Sequence, residues 1–341
     1  MSDPNVNRQW LLANRPPGWP SESDFELVET PVPEPAEGQF LVRNLWVSVD
    51  PYMRGRMRDV KSYVPPTALG AVMGGESVAR VTASRHPDYA EGEIVVGPFA
   101  WQDYALSDGQ GARKVDPKLA PISTAVGALG MPGMTAYFGL LDVCGPKEGE
   151  TVLVSGAAGA VGSLVGQIAK IKGCRAVGIA GSQQKVDWIT GELGFDAAFN
   201  YKTVAAEDYS DAIGELCPDG VDCYFDNVGG PISDAVFPRY NVHGRMAICG
   251  QISLYNDEDQ QPAPRPYWFI LRQQLTVRGF LVFQFLKRYP EGLREMAQWI
   301  GEGSIKFRET VVEGLENTPA AFIGMMRGEN IGKQLVRVAP Q

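Results

Sequence analysis

Apolar and polar positions divide the chain into two regimes. Up to about residue 125 the apolar residues come in short β-spaced runs, such as 40–49, 71–73 and 77–81, broken by Pro and Gly. This punctuation predicts a small, irregular β-barrel. From about 126 to 300, short apolar runs at 151–155, 175–180, 197–201, 221–226 and 245–249 alternate with helical stretches such as 163–170, 184–192 and 233–240. Strand–helix alternation predicts an α/β unit with a doubly wound parallel sheet. Residues 275–283 read as one more strand, long and apolar. The tail reads as a helix near 290–302 and strands near 307–312 and 333–338, and is expected to return to the first domain. The expected domains are therefore 1–125 with 301–341, and 126–300. A length of 341 residues also exceeds what one core usually holds.

The junction of the first parallel strand with its helix carries the most chemistry. An apolar strand at 151–155 runs into Gly156, Gly159 and Gly162, and helical spacing resumes directly afterwards. Glycines there permit a tight turn and let backbone N–H groups approach a pyrophosphate at a helix N-terminus. Glycine-rich turns also serve plain strand-to-helix packing, but the strand before and the second strand after favour dinucleotide binding. The end of that second strand selects the dinucleotide. NAD sites place an Asp or Glu there for the ribose hydroxyls. This chain has Gly181, Ser182, Gln183, Gln184 and Lys185, with no carboxylate before Asp187. Ser182 and the Lys185 ammonium suit a 2′-phosphate, so NADP(H) is the expected cofactor, although Lys185 also reads as an ordinary solvated lysine.

Composition narrows the class. The chain is 44% hydrophobic and 21% charged with a net charge of −9, which disfavours nucleic acid and anionic membranes as partners. Neither a signal-peptide core nor about 18 uninterrupted apolar residues occurs, so a cytoplasmic location is expected. The five cysteines include no CxxC pair and read as reduced thiols. The two histidines, His86 and His243, each read as turn residues, and so few partners disfavour a metal site or a Ser-His-Asp triad.

Several ordered motifs run nearly end to end: residues 47–54 (VSVDPYMR), 130–137 (GMPGMTAY), 157–162 (AAGAVG), 199–202 (FNYK), 225–230 (FDNVGG), 249–256 (CGQISLYN) and 328–333 (GENIGK). By these the chain resembles the zinc-independent medium-chain dehydrogenase/reductases of the leukotriene B4 dehydrogenase/prostaglandin reductase branch. Residues 50–58, 101–104 and 314–317 are most similar to the bacterial NADPH-dependent curcumin reductases. The resemblance implies a GroES-like catalytic domain beside a Rossmann domain. It implies no catalytic zinc: Gly75 stands where zinc-containing relatives have histidine, and no cysteine precedes Cys144. It also implies cofactor contacts from Met131, Thr135, Gly159, Ala160, Val161, Gly162, Ser182, Lys185, Tyr201, Asn227, Cys249, Gly250, Ser253, Tyr255, Phe280, Leu281, Val282 and Asn330.

Without metal, flavin or nucleophile, the expected reaction is reduction of a C=C bond conjugated to a ketone or aldehyde. The nicotinamide delivers hydride to the β-carbon, leaving an enolate that needs hydrogen-bond donors and a proton. Tyr255 is the first candidate donor and Tyr52 the second, because a phenol of pKa ~10 stays protonated at neutral pH. Arg54 and Arg56 read equally as substrate-steadying or structural. Tyr63, Trp101, Tyr267 and Trp268 together are candidates for a flat pocket for conjugated ligands, while each taken singly reads as core. Two alternatives stay open: a quinone oxidoreductase, and a non-catalytic NADPH-binding protein. The apolar strand expected at 275–283 is a sheet edge, and the resemblance implies a homodimer closed across it.

Overall fold

The computed structural model describes residues 5–259 and 262–340. Contacts divide the chain into two compact units, Met1–Val126 with Asn256–Glu258 and Glu309–Gln341, and Gly127–Tyr255 with Asp259–Arg308.

The first unit begins with β1 (Val6–Leu12) and β2 (Phe25–Pro31), an antiparallel pair. Then come β3 (Phe40–Ser48), the short helix α1 (Tyr52–Arg56), β4 (Ser77–Ser84), β5 (Ile94–Gly97), β6 (Tyr104–Ser107) and β7 (Arg113–Lys114). β3 is buried along nearly its whole length because both its faces are covered. Phe40 and Val42 enter one small core with Val81, Val95 and Phe99, whereas Leu45 and Trp46 enter another with Val78, Val96 and Leu335. Irregularities in its register with β4, at Leu41/Val42 and Asn44/Trp46, accompany the change of face. Residues 71–73 form no strand; Val72 makes only an isolated bridge to Leu11.

The second unit starts with α2 (Met131–Phe138) and then alternates β8 (Thr151–Ser155), α3 (Gly162–Ile171), β9 (Arg175–Ala180), α4 (Gln183–Gly191), β10 (Ala197–Asn200), α5 (Tyr209–Leu216), β11 (Val221–Asp226), α6 (Gly230–Val236), β12 (Tyr240–Ile248), α7 (Tyr267–Gln273) and β13 (Thr276–Gly279), closing with α8 (Tyr289–Gly301). Its six strands lie parallel in the order β10-β9-β8-β11-β12-β13. β8, at the centre, is buried at every residue, which explains its unbroken apolar run. Gly166 on α3 is a packing glycine, since a Cβ there would lie 1.9 Å from the Phe195 ring.

Two expectations fail here. The strand expected over 275–283 stops at Gly279, and Val282–Arg288 coil into a 3-10 helix with Val282 buried. His243 stands inside β12 at a left-handed φ of 66°, not in a turn between elements.

The chain then re-enters the first unit with β14 (Glu309–Glu313), α9 (Thr318–Met326) and β15 (Lys333–Arg337). β14 pairs parallel with β15, and β15 pairs antiparallel with β3, which completes a separate, mainly antiparallel seven-stranded sheet. Among the described residues no helix is long and apolar enough to cross a membrane.

Candidate active site

Three stretches of the second unit converge at the carboxyl ends of its strands, where open α/β sheets bind ligands. The first is the glycine turn. Gly156 adopts φ 59°, and the Gly159 N–H donates to its carbonyl at 3.0 Å. Gly162, the first residue of α3, leaves no room for a side chain: a Cβ would lie 2.4 Å from the Gly156 oxygen. Ala160 and Val161 complete this turn, so its geometry fits the pyrophosphate of a dinucleotide.

The second stretch follows β9. Ser182 caps α4, its Oγ accepting from the Lys185 N–H at 3.3 Å. A Cβ on Gly181 would stand 3.4 Å from the Tyr201 hydroxyl and 3.5 Å from Cε of Lys202. Tyr201 and Lys202 open the 3-10 turn after β10, where Asn200 Oδ1 accepts from the Lys202 N–H at 3.1 Å. Burial, and then the charge of Lys202, lowers the Lys185 pKa. Lysines on the two neighbouring turns, with the Ser182 hydroxyl and the Tyr201 phenol on the same turns, suit a phosphate dianion. Lys202 reaches this stretch from a different element than Lys185, so spacing along the chain does not mark it.

The third stretch lines an open pocket of about 500 Å³, formed by Ile248, Cys249, Gly250, Gln251, Tyr255, Gly279, Phe280, Leu281 and Gln284. Five of the residues expected to contact the cofactor thus share one pocket: Cys249, Gly250, Tyr255, Phe280 and Leu281. Tyr255 follows the 3-10 turn Ile252–Leu254, and its hydroxyl accepts from the Gln251 N–H at 3.3 Å. Phe280 is braced from behind by Gly139, where a Cβ would lie 2.4 Å from its ring, and by Phe225 at 6.1 Å edge-on. Asn227 is tied to β8, donating from Nδ2 to the Ser155 carbonyl at 2.7 Å. The Ser253 hydroxyl donates to the Val228 carbonyl at 2.6 Å. Thr135 donates to the Met131 carbonyl one turn earlier on α2, and neither residue lines this cavity. Val282 stands behind the lining and is buried.

Tyr52 and Asn330 belong to the first unit. Asn330 Nδ2 donates to the Gly332 carbonyl at 2.7 Å. Tyr52 opens α1 with the Arg56 guanidinium 4.6 Å over its ring, and burial followed by the charges of Asp50 and Glu76 pushes its pKa well up. Arg54 is structural: fully buried, it donates to the Pro16 and Gly18 carbonyls and at 2.8 Å to Asn256 Oδ1. Of the aromatic residues proposed as pocket walls, Trp101 is core, packed at 5.6 Å against Phe25 and 5.8 Å against Phe322. Tyr267 and Trp268 are 74% and 63% exposed on α7 and do not line the cavity. Indole and phenol apolarity could not distinguish core, pocket and open surface.

Glu76 occupies the Gly-Gly-Glu run where a zinc ligand set would stand. Among the described residues no group of three or more His, Cys, Asp or Glu is placed to hold a metal ion. Burial, and then Asp50, pushes the Glu76 pKa up to about 7. The folded acid therefore keeps its proton to a higher pH than the unfolded one, and stability falls as pH rises from about 4.5 to about 7. Glu76→Gln is expected to gain up to about 3 kcal/mol over the wild type at pH 8 and little at pH 4.5. Thermal unfolding at the two pH values checks this; an equal gain at both would contradict it.

Comparison with known proteins agrees with this architecture. Residues 8–115 match a family described as the N-terminal domain of oxidoreductase, and residues 160–300 one described as zinc-binding dehydrogenase. The chain belongs to the medium-chain dehydrogenase/reductases, in their prostaglandin reductase branch. It is 51% identical to the putative NADP-dependent oxidoreductase YfmJ of Bacillus subtilis (strain 168), over 97% of this chain and 98% of that one. It is 46% identical to the NADPH-dependent curcumin reductase of Escherichia coli (strain K12), over 98% of this chain and 97% of that one. The crystal structure of CurA from Vibrio vulnificus in complex with NADPH superposes with a TM-score of 0.93 at 44% identity, covering 98% of this chain and all of that one.

Proposed function

We infer that this protein is an NADPH-dependent reductase of C=C bonds conjugated to a ketone or aldehyde. The observation that carries this reading is the Tyr255 phenol set into a cavity at the strand ends beside Cys249, Gly250, Phe280 and Leu281. Relatives sharing nearly the whole chain, among them a curcumin reductase and a 2-alkenal reductase, support it. Gly159 to Gly162 hold the pyrophosphate, and Ser182, Lys185, Tyr201 and Lys202 hold the 2′-phosphate. Asn227 and the cavity residues hold the ribose and nicotinamide, with Met131, Thr135, Ser253, Val282 and Asn330 as further contacts. The bound cofactor supplies a hydride to the β-carbon of the substrate. Tyr255 donates a hydrogen bond to the oxygen where enolate charge develops, and a proton delivered to the α-carbon, through Tyr255 or from solvent, completes the addition of H⁻ and H⁺ across the bond. Tyr52 is the second donor, kept protonated by its burial and acidic neighbours. The first unit is the catalytic domain and the second the cofactor domain.

Following NADPH consumption with a panel of enones, enals and quinones tests the reading. Rapid turnover of enones is expected. Turnover confined to quinones would assign the chain to the quinone oxidoreductases, and turnover on nothing would make it a cofactor-binding protein.

The same reading includes a cytoplasmic homodimer. β13 is the sheet edge, and Val277, Leu281, Phe283 and Leu286 are 37–55% exposed around it, with Tyr267, Trp268 and Leu271 exposed on α7. An uncovered apolar edge of this kind favours pairing with a two-fold mate. Light scattering at micromolar concentration is expected to give twice the 37.1 kDa chain mass, and a monomeric mass would refute the dimer.

A further inference from the structure

Asp226, the last residue of β11, is 1% exposed, and five donors point at its carboxylate. Oδ1 accepts from the Ser155 hydroxyl and the Tyr224 phenol at 2.9 Å and from the Val228 and Gly229 N–H groups at 3.0 Å. Oδ2 accepts from the Ser233 hydroxyl at 2.6 Å. Every partner donates, which complements a group that only accepts. All five donors are neutral. They solvate the charge without cancelling it.

The residue also underlies the cavity. Its backbone carbonyl accepts from the N–H groups of Cys249 at 2.9 Å and Gly250 at 3.1 Å, both of which line the pocket. The field of the carboxylate is felt there: burial first, and then Asp226, pushes the Cys249 thiol up to about 12. The network costs more than strand capping needs, because hydroxyls and backbone groups could satisfy one another without a buried charge.

We propose that Asp226 is a fixed negative charge under the nicotinamide pocket, one that favours the cationic oxidised ring over the neutral reduced ring and so favours departure of hydride from bound NADPH. A charge that acts more strongly as positive charge grows on the ring stabilises the transition state more than the ground state. The inference rests on the reading that this cavity receives the nicotinamide, and it goes beyond that reading in giving a role to a residue outside the lining.

The experiment measures dissociation constants of NADP⁺ and NADPH, separately, for the wild type and Asp226→Asn. At an effective dielectric near 20, a unit charge acting across about 10 Å would change the relative affinity of the two forms roughly tenfold. Asp226→Asn is expected to raise the ratio Kd(NADP⁺)/Kd(NADPH) by about that factor and to lower turnover on an enone. A structural role alone would raise both constants together and leave the ratio unchanged, which overturns the proposal. Should Asp226→Asn unfold under the assay conditions, both constants are measured on the same variant in the cold with stabilising sulfate, which strengthens the folded state. An unmoved ratio there overturns the proposal. Leu281→Trp separates this inference from the reading beneath it. If filling the cavity leaves cofactor binding and turnover intact, the cavity is not the nicotinamide site. If it abolishes them while Asp226→Asn leaves the ratio fixed, only the charge inference fails.

Discussion

Tyr255→Phe is expected to lose about 10²–10³ in turnover on an enone, the usual cost of removing one donor that acts mainly in the transition state. The ring stays in the cavity wall, so packing against the 3-10 turn Ile252–Leu254 is kept and only the hydroxyl is lost. The hydroxyl's contact with the Gln251 N–H is modest at 3.3 Å, and folding should not suffer beyond about 1 kcal/mol. NADPH affinity should change little, because Ser182, Lys185, Tyr201 and Lys202, proposed above to hold the 2′-phosphate, are untouched. Tyr52→Phe is assayed beside it, with cofactor binding measured separately. Full turnover in Tyr255→Phe with collapse in Tyr52→Phe would exchange the two roles. No change in either would assign proton delivery to solvent.

The second large effect concerns cofactor choice. Lys185→Ala should weaken NADPH roughly tenfold to a hundredfold and leave NADH unchanged, since one charge-assisted contact to phosphate is worth about 1.5–3 kcal/mol. Lys202→Ala should act in the same direction, and the two effects should couple. Each ammonium raises the cost of holding the other, a contribution second to burial in lowering the Lys185 pKa. Steady-state Michaelis constants for both cofactors in the two single variants and the double variant check this. Equal constants for NADPH and NADH in the wild type would contradict it.

The parts of this protein that were legible in the chain are those set by neighbouring residues. The strand at 151–155, the glycines after it and the helix beginning at Gly162 follow from local pattern and from one steric fact, the 2.4 Å approach to Gly156. The stretch 275–283 misled because uninterrupted apolarity suits equally a strand and a short helix with one buried face. Its end came at Gly279, beyond which Phe280 turns inward to pack on Gly139 and Phe225. Trp101 misled for the same reason, since burial against Phe25 and Phe322 depends on segments far away in sequence.

Sequence by itself determined the alternating architecture, the glycine turn and the missing acid after β9, because backbone sterics and the presence or absence of one carboxylate act over a few residues. Tertiary structure decided which groups meet. Parallel strands bring their carboxyl ends to one edge of the sheet, so Tyr201 and Lys202 after β10 come beside Gly181 after β9, and Tyr255 joins Phe280 and Leu281 around one cavity. Asp226 gathers donors from β8, β11 and α6 for the same reason. Charge pairing, burial and the field inside a pocket depend on distance in space, which spacing along the chain does not fix.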